Sequence, residues 1–230
     1  LENVSLTVEP GQTLAVVGRV GSGKSTFANL VLRLYNPKNK GEIFIDDIDI
    51  MDIPLKVLRD NVGFVSQDNF LFSISIRDNI AFVPEKISDE KVVEAAKLSQ
   101  LYNEIKDLPE GFDTLLGERG VNLSGGQRQR TSIARALAKD PTILILDDSL
   151  SAVDTDTEER ILEGLNTFMD NRTSIIIAHR ISTIKDADKI VVLDEGRIVE
   201  EGSHEELVTQ KGIYAEMYER QLLEEEIAKA

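Results

Sequence analysis

Cysteine and tryptophan are both absent from this 230-residue chain, and histidine occurs only twice. Without thiols there are no disulfides, no thiolate metal sites and no cysteine nucleophile. Positive charge is the scarcer sign: 26 Lys and Arg stand against 41 Asp and Glu, a formal net charge of −15. That balance argues against a nucleic-acid partner, whose recognition leaves a basic footprint. It leaves room for nucleotides, which one lysine, backbone amides and a metal ion can hold. No apolar run approaches the roughly 18–20 residues needed to span a bilayer. No signal peptide is visible in the residues given, which open with the strand-like LENVSLTVEP. The chain starts mid-pattern without methionine, as expected of a fragment of something longer. What is present, 41% hydrophobic and 29% charged residues, suffices for a substantial core.

Hydrophobic periodicity sets out the elements. Val4, Leu6 and Val8 alternate with polar residues, which predicts a half-exposed strand. TLAVVG (residues 13–18) is a continuous apolar run, as in a strand buried on both faces. STFANLVLRLY is helical in period, GEIFIDDIDI and NVGFVSQ are strand-like, and residues 88–107 carry helical patterns that open at SDEK. PTILILDD and RTSIIIAH predict two more buried strands, separated by a helix in which Ile161, Leu162, Leu165, Phe168 and Met169 share a face. KIVVLDEGRIVEEG reads as a hairpin turned at DEG. SHEELVTQ opens with a capping box of Ser203 and Glu206, and a charged helix follows over 212–230. Buried strands alternating with helices imply an α/β fold with a mostly parallel sheet. The opening strand and residues 41–50 suggest an added antiparallel sheet, and 68–122 a helical insert.

Three segments carry chemistry. GRVGSGKST (residues 18–26) fits the pattern G-x-x-x-x-G-K-[ST] between a buried strand and a helix. Gly18, Gly21 and Gly23 permit close backbone approach, and the loop amides, with Ser22 and Thr26, face a phosphate chain at a helix N-terminus. Lys24 adds a point charge and the Ser25 hydroxyl a Mg²⁺ ligand; the plain alternative is a Gly-rich turn opening a helix. Asp147, after the strand ILIL, suits the carboxylate that such a loop needs for its Mg²⁺ shell. A bare helix N-cap is the alternative. Asp148 would then stand beside the terminal phosphate, either as a base that polarises water or as an acid that tunes the field. LSGGQ (residues 123–127) runs into QRQRTSIARAL, so Ser124, Gly125, Gly126 and Gln127 form a second candidate anion site, or else an ordinary helix cap.

The order P-loop, LSGGQ, ILILDD, SAVD, AHR resembles the nucleotide-binding domain of an ABC transporter over essentially the whole chain. VSQDNFLFSISIRDNI and LLGERGVNLSGGQRQR are similar to exporters rather than importers. The resemblance implies a P-loop NTPase core with an added antiparallel β-subdomain and a helical signature subdomain. It makes residues 1–230 one ABC ATPase domain, with 68–122 spanning the Q-loop and helical insert and 212–230 a C-terminal helix. It implies ATP and Mg²⁺ as ligands, with Ser25 and Asp147 at the metal and Gln67 touching Mg²⁺ or the lytic water and sensing the transmembrane domain. It makes Glu118 an acid near the membrane-domain contact and Ser151 to Asp154 a loop at a dimer interface. It gives His179 a switch contact to the γ-phosphate, against the bland reading of a core histidine. Ser124 to Gln127 would face an ATP held by a second nucleotide-binding domain, and transmembrane domains would dock the pair at the cytoplasmic face of the membrane. His204 reads as a surface residue.

Two departures stand out. The aromatic that exporters stack on adenine would fall before residue 1, so none is assigned. Asp148 stands where the family's hydrolytic site has glutamate. One methylene less withdraws the carboxylate by about 1.5 Å, and misplacement of about 1 Å can cost on the order of 10²-fold in rate. Asp148 thus resembles the degenerate half of a heterodimeric, often multidrug, exporter. The competing expectations are an ATP-dependent scaffold that scarcely hydrolyses and a soluble ABC ATPase.

Overall fold

The computed structural model describes residues 1–230 apart from Pro84, Glu85, Ser151, Asp154 and Ala230; inside its helices the side chains of Thr155, Asp156, Glu225, Ala228 and Lys229 are also left undescribed. The chain divides into two compact units. The first comprises residues 1–59, 145–147 and 171–230, and the second residues 60–144 and 148–170.

The first unit is built on β1 (Thr13–Gly18), with β6 (Thr173–Ile177) and β7 (Lys189–Asp194) parallel on its two sides. The apolar runs that gave no alternation are buried almost throughout, as strands covered on both faces must be. β8 (Arg197–Gly202) returns antiparallel to β7 and alternates exposed with half-buried residues, as an edge strand does. Its turn uses Glu195 and Gly196, both at positive φ, which is the hairpin geometry that matches strand twist. The end of β5 (Ile143–Asp147) lies next to β6 in the strand order.

α1 (Lys24–Val31) follows β1. GEIFIDDIDI folds not as one strand but as a two-stranded antiparallel hairpin, β2 (Phe44–Ile45) and β3 (Ile48–Asp49). Asp46 and Asp47 at φ 49° and 64° make its turn, since aspartate tolerates the left-handed region. α2 (Leu55–Asn61) was not anticipated; it straddles the boundary between the units in the chain. α8 (His204–Gln210) carries the expected capping box, and α9 (Ile213–Lys229) follows it.

Residues 4–8 correct an expectation. Val4, Leu6 and Val8 are half-buried and their neighbours exposed, as alternation predicts, but the segment is not a strand of any sheet. Period-two burial reports extended backbone; a strand also needs a partner ladder, which no local pattern encodes. His204 is a second correction. Its Nδ1 lies 2.7 Å from the Tyr214 hydroxyl, and its ring meets Tyr218 edge-on. Its neighbourhood is supplied by α9, beyond the reach of a helix-start reading.

The second unit contains β4 (Val62–Val65), the neighbour of β5 in the strand order, and the helices α3 (Ile76–Ile80), α4 (Asp89–Leu98), α5 (Tyr102–Lys106), α6 (Gly125–Ala138) and α7 (Thr155–Met169). Ser88 caps α4 by accepting the Lys91 N–H, and Asp89 and Glu90 sit in its first turn, where the helix dipole favours anions. α6 packs against α3, α4 and β4 and buries nine of its residues from Gln129 to Ala138. Ile161, Leu165 and Met169 of α7 are buried on the face that their spacing predicts.

Candidate nucleotide site

In the first unit, β1 ends at Gly18, paired with Leu193 of β7. A Cβ on Gly18 would lie 2.1 Å from the Leu193 carbonyl oxygen, and its φ is 149°, so only glycine lets the chain leave the strand here. The loop then turns through Gly21 to Gly23, which enters α1 at φ 108°. The N-cap position of α1 is Gly23, which has no side chain with which to cap the helix. The Ser22 hydroxyl is buried and has no partner among the described residues. Lys24 is 7% exposed, and its ammonium donates to the carbonyls of Gly18 and Arg19 at 2.7 and 2.9 Å, closing the loop into a ring. An orphan hydroxyl, a glycine at the N-cap and a buried lysine on one short loop fit a chain of phosphate oxygens.

Two further expected residues leave strands of the same unit. Asp147 is the last residue of β5 and is 7% exposed; Ser25 is exposed in the first turn of α1. His179 lies two residues past β6, with an exposed side chain. β6 is parallel to β1 and pairs Val16 with Ile177, so continuing the register by two residues brings His179 level with Gly18. The phosphate loop and His179 therefore leave the carboxyl ends of adjacent parallel strands, where ligands of open α/β sheets bind.

In the second unit, Gln67 follows β4 and donates from Nε2 to Asp148 Oδ2 at 3.2 Å, joining residues 81 apart in sequence. Asp148 sits at φ 47°, a left-handed conformation that aspartate adopts more readily than longer acids. Its backbone is held by a residue the sequence reading passed over. Gln129 is 1% exposed; its Nε2 donates to the Asp148 carbonyl at 3.4 Å, and its Oε1 accepts the Ala152 N–H at 3.0 Å. A glutamine in a helix interior has no local signature of such reach.

Ser124 caps α6 in a reciprocal capping box. Its hydroxyl accepts the Gln127 N–H at 3.2 Å, and Gln127 Oε1 accepts the Ser124 N–H at 2.9 Å. The cap reading is therefore real, yet it uses only the hydroxyl's acceptor side; its proton remains to donate, and Ser124 and Gly125 are exposed. Gln127 Nε2 donates to Glu104 Oε2 at 2.9 Å, and Arg130 pairs with Glu104 Oε1 at 2.5 Å, anchoring the helix start to α5. Glu118 is exposed at the start of a 3-10 turn, Glu118–Gly120, which Asn122 staples by bonding Leu115 O and Gly117 N at 3.0 Å each. Of the expected interface loop, Ala152 is exposed and Val153 buried; Ser151 and Asp154 lie outside the described residues.

Among the described residues no group of three or more His, Cys, Asp or Glu is arranged to hold a metal ion. Magnesium needs no such cage, since one carboxylate, a hydroxyl, water and phosphate oxygens complete its shell. Ser25 and Asp147 supply donors of that hard, oxygen-only kind.

A strand, glycine loop and helix in a mostly parallel sheet, with a separate antiparallel hairpin, define a P-loop NTPase fold. A family model described as ABC transporter matches residues 1–151. An ATP-dependent lipid A-core flippase of Shewanella frigidimarina is 51% identical over 222 residues, covering 96% of this chain and 37% of its own length. The heterocyst differentiation ATP-binding protein HepA of Nostoc is 50% identical over 212 residues, covering 92% of this chain and 35% of its own. A solved bacterial Atm1-family ABC exporter with ATP bound superposes with a TM-score of 0.92 at 46% identity, over 95% of this chain and 38% of that one. The chain belongs to the ABC transporter family, and its homologues include ABC exporter ATP-binding proteins. It spans a little over a third of the length of these relatives, and among its described residues no helix is long and apolar enough to cross a membrane. Family membership implies an ATPase domain that binds ATP, generally with Mg²⁺.

Proposed function

We propose that this chain is the ATP-binding motor domain of an exporter, that it works in a head-to-tail pair with a second such domain, and that its own P-loop site hydrolyses ATP weakly. In this reading it serves at the cytoplasmic face of a membrane, beneath the transmembrane domains of an exporter. The relatives differ in what their names say they act on, so likeness supports the motor and assigns no cargo. Residues 68–122 would form the Q-loop and helical insert, and 212–230 the C-terminal helix.

Bound ATP supplies the driving free energy, and Mg²⁺ neutralises charge that builds on the phosphates. The residue roles follow from chemistry. Lys24 and the amides after Gly18, Gly21 and Gly23 hold phosphate oxygens, with Ser22 and Thr26 adding hydroxyls. Ser25 and Asp147 are the metal's oxygen donors. Gln67 orients water through its carboxamide and links that water to the Asp148 carboxylate. His179 donates to the terminal phosphate. Ser124, with Gly125, Gly126 and Gln127, presents an uncharged donor surface to the partner's nucleotide, and Glu118 lies toward the membrane domains.

The observation that supports a weak site is Asp148 itself. Its side chain is short by one methylene, and part of its acceptor capacity is engaged by Gln67. The backbone at φ 47° favours aspartate, so the short acid is consistent with its local conformation. Asp148→Glu restores reach and is expected to raise hydrolysis at this chain's own P-loop by about 10–10²-fold, with ATP affinity little changed. The assay isolates the site by disabling the partner's catalytic acid. A flat rate would place the defect elsewhere, and a high wild-type rate would make Asp148 a working base. The same observation is compatible with an ATP-closed scaffold, and the wild-type rate in that assay separates it from a transport motor.

A further inference from the structure

His179 emerges from β6 with its side chain exposed, and its backbone has passed the last strand pairing, Val16 with Ile177. An exposed side chain on an unpaired segment is poorly placed to aim a hydrogen bond. The support comes from α9, far along the chain. Gln221 Nε2 donates to the His179 carbonyl at 2.5 Å, and Gln221 Oε1 accepts the Ile181 N–H at 2.7 Å. One carboxamide, with one donor side and one acceptor side, thus brackets the His179–Ile181 backbone. It stands in for a strand partner where the sheet ends. Only one orientation of the amide serves, because a carbonyl can only accept and an N–H can only donate. Just beyond, Ile181 is buried, and its carbonyl accepts from Ile184 and Lys185, so the clamp joins the free end of β6 to a fixed turn.

α9 is itself moored. Tyr214 and Ala215 are buried, and the Glu200 carboxylate of β8 accepts the N–H groups of Ile213 and Tyr214 at 2.5 and 3.1 Å. The helix start is thereby capped by an anion, as the dipole favours. Gln221 lies on the same helix, two turns further on.

We infer that Gln221 is a positioning residue for His179: the C-terminal helix fixes the backbone from which the histidine reaches the nucleotide's terminal phosphate. This rests on the reading of His179 as the γ-phosphate contact. With its carboxamide engaged by the His179 and Ile181 backbone, Gln221 would act through His179, and its effect would be confined to what His179 distinguishes, namely ATP from ADP.

The test is photolabelling of the polypeptide carrying this chain, in the assembled full-length transporter, with 8-azido-ATP in competition with ATP and with ADP. This readout needs no hydrolysis, so a weak site does not obscure it. His179→Ala is expected to lower the preference for ATP over ADP about tenfold, the scale of one hydrogen bond to a charged group. Gln221→Leu should lower it at least about threefold, with ADP competition unchanged. Gln221→Glu should do the same, because it keeps the reach but sets a carboxylate against the His179 carbonyl. Both replacements are good helix formers, so α9 itself is preserved. The double variant His179→Ala with Gln221→Leu should be no worse than His179→Ala alone.

Retained ATP preference in Gln221→Leu, beside its loss in His179→Ala, would overturn the positioning role and leave the histidine contact standing. Equal loss of ATP and ADP affinity, or a further loss in the double variant, would show that Gln221 acts on the fold or elsewhere. Retained preference in His179→Ala would remove the histidine contact and the clamp's purpose together.

Discussion

At the scale of single residues, the proposed function assigns different tasks to two side chains. Lys24 is the buried positive charge of the phosphate loop, held by two loop carbonyls. Those carbonyls hold the buried ammonium in the loop, as a polar group taken out of water requires. Lys24→Ala is expected to weaken ATP binding well over about tenfold, since it removes a charge-assisted contact and leaves the Gly18 and Arg19 carbonyls with one partner fewer. Direct binding measurements on the full-length protein check this, and unchanged affinity would remove the P-loop reading. Asp148 is the opposite case. On the proposed reading it governs rate rather than affinity, as an acid whose carboxylate meets Gln67. Binding and chemistry are therefore expected to separate cleanly by mutation.

At the scale of elements, α6 carries the second candidate site on its first turn and its structural attachments behind it. The capping box, the Glu104 pair and the Gln129 bonds all converge on this helix. Ser124→Arg removes the cap, at a cost of about 1 kcal/mol, and sets a bulky cation on an exposed surface. The remaining attachments should keep α6 folded. The expected result is intact ATP binding by this chain together with blocked hydrolysis at the partner's P-loop. Lost binding by this chain with partner turnover preserved would contradict a shared site.

The elements also show what could be read beforehand. β1, β5 and β6 are continuous apolar runs, and α8 announces itself by Ser203 and Glu206, because burial and capping are written in neighbouring residues. The GKST loop and LSGGQ are legible for the same reason, as short spacings with a local physical cause. Residues 4–8 mark the limit: their alternation gives the buried side but not a pairing. Gln129 and Gln221 mark it again, since each acts on backbone 19 to 42 residues away. No period or propensity marks a glutamine that finds two backbone partners in a distant segment. The φ of 47° at Asp148 is likewise a property of the folded turn, invisible in the string ILILDD.

At the scale of the whole molecule, the reading is of one half of an asymmetric ATPase. The chain's P-loop has intact binding residues, its signature segment is intact, and the acid after Asp147 is short. On the proposed reading such a half would hold nucleotide on its own account and complete a faster site on another. The most direct measurement is steady-state ATP turnover by the transporter assembled from this polypeptide alone, compared with one assembled with a half bearing glutamate after its metal-binding aspartate. ATP binding should be present in both, and turnover should be lower by about 10²-fold in the assembly that relies on Asp148 alone. Equal turnover in the two assemblies would contradict the account, because it would make this chain's own site fully competent.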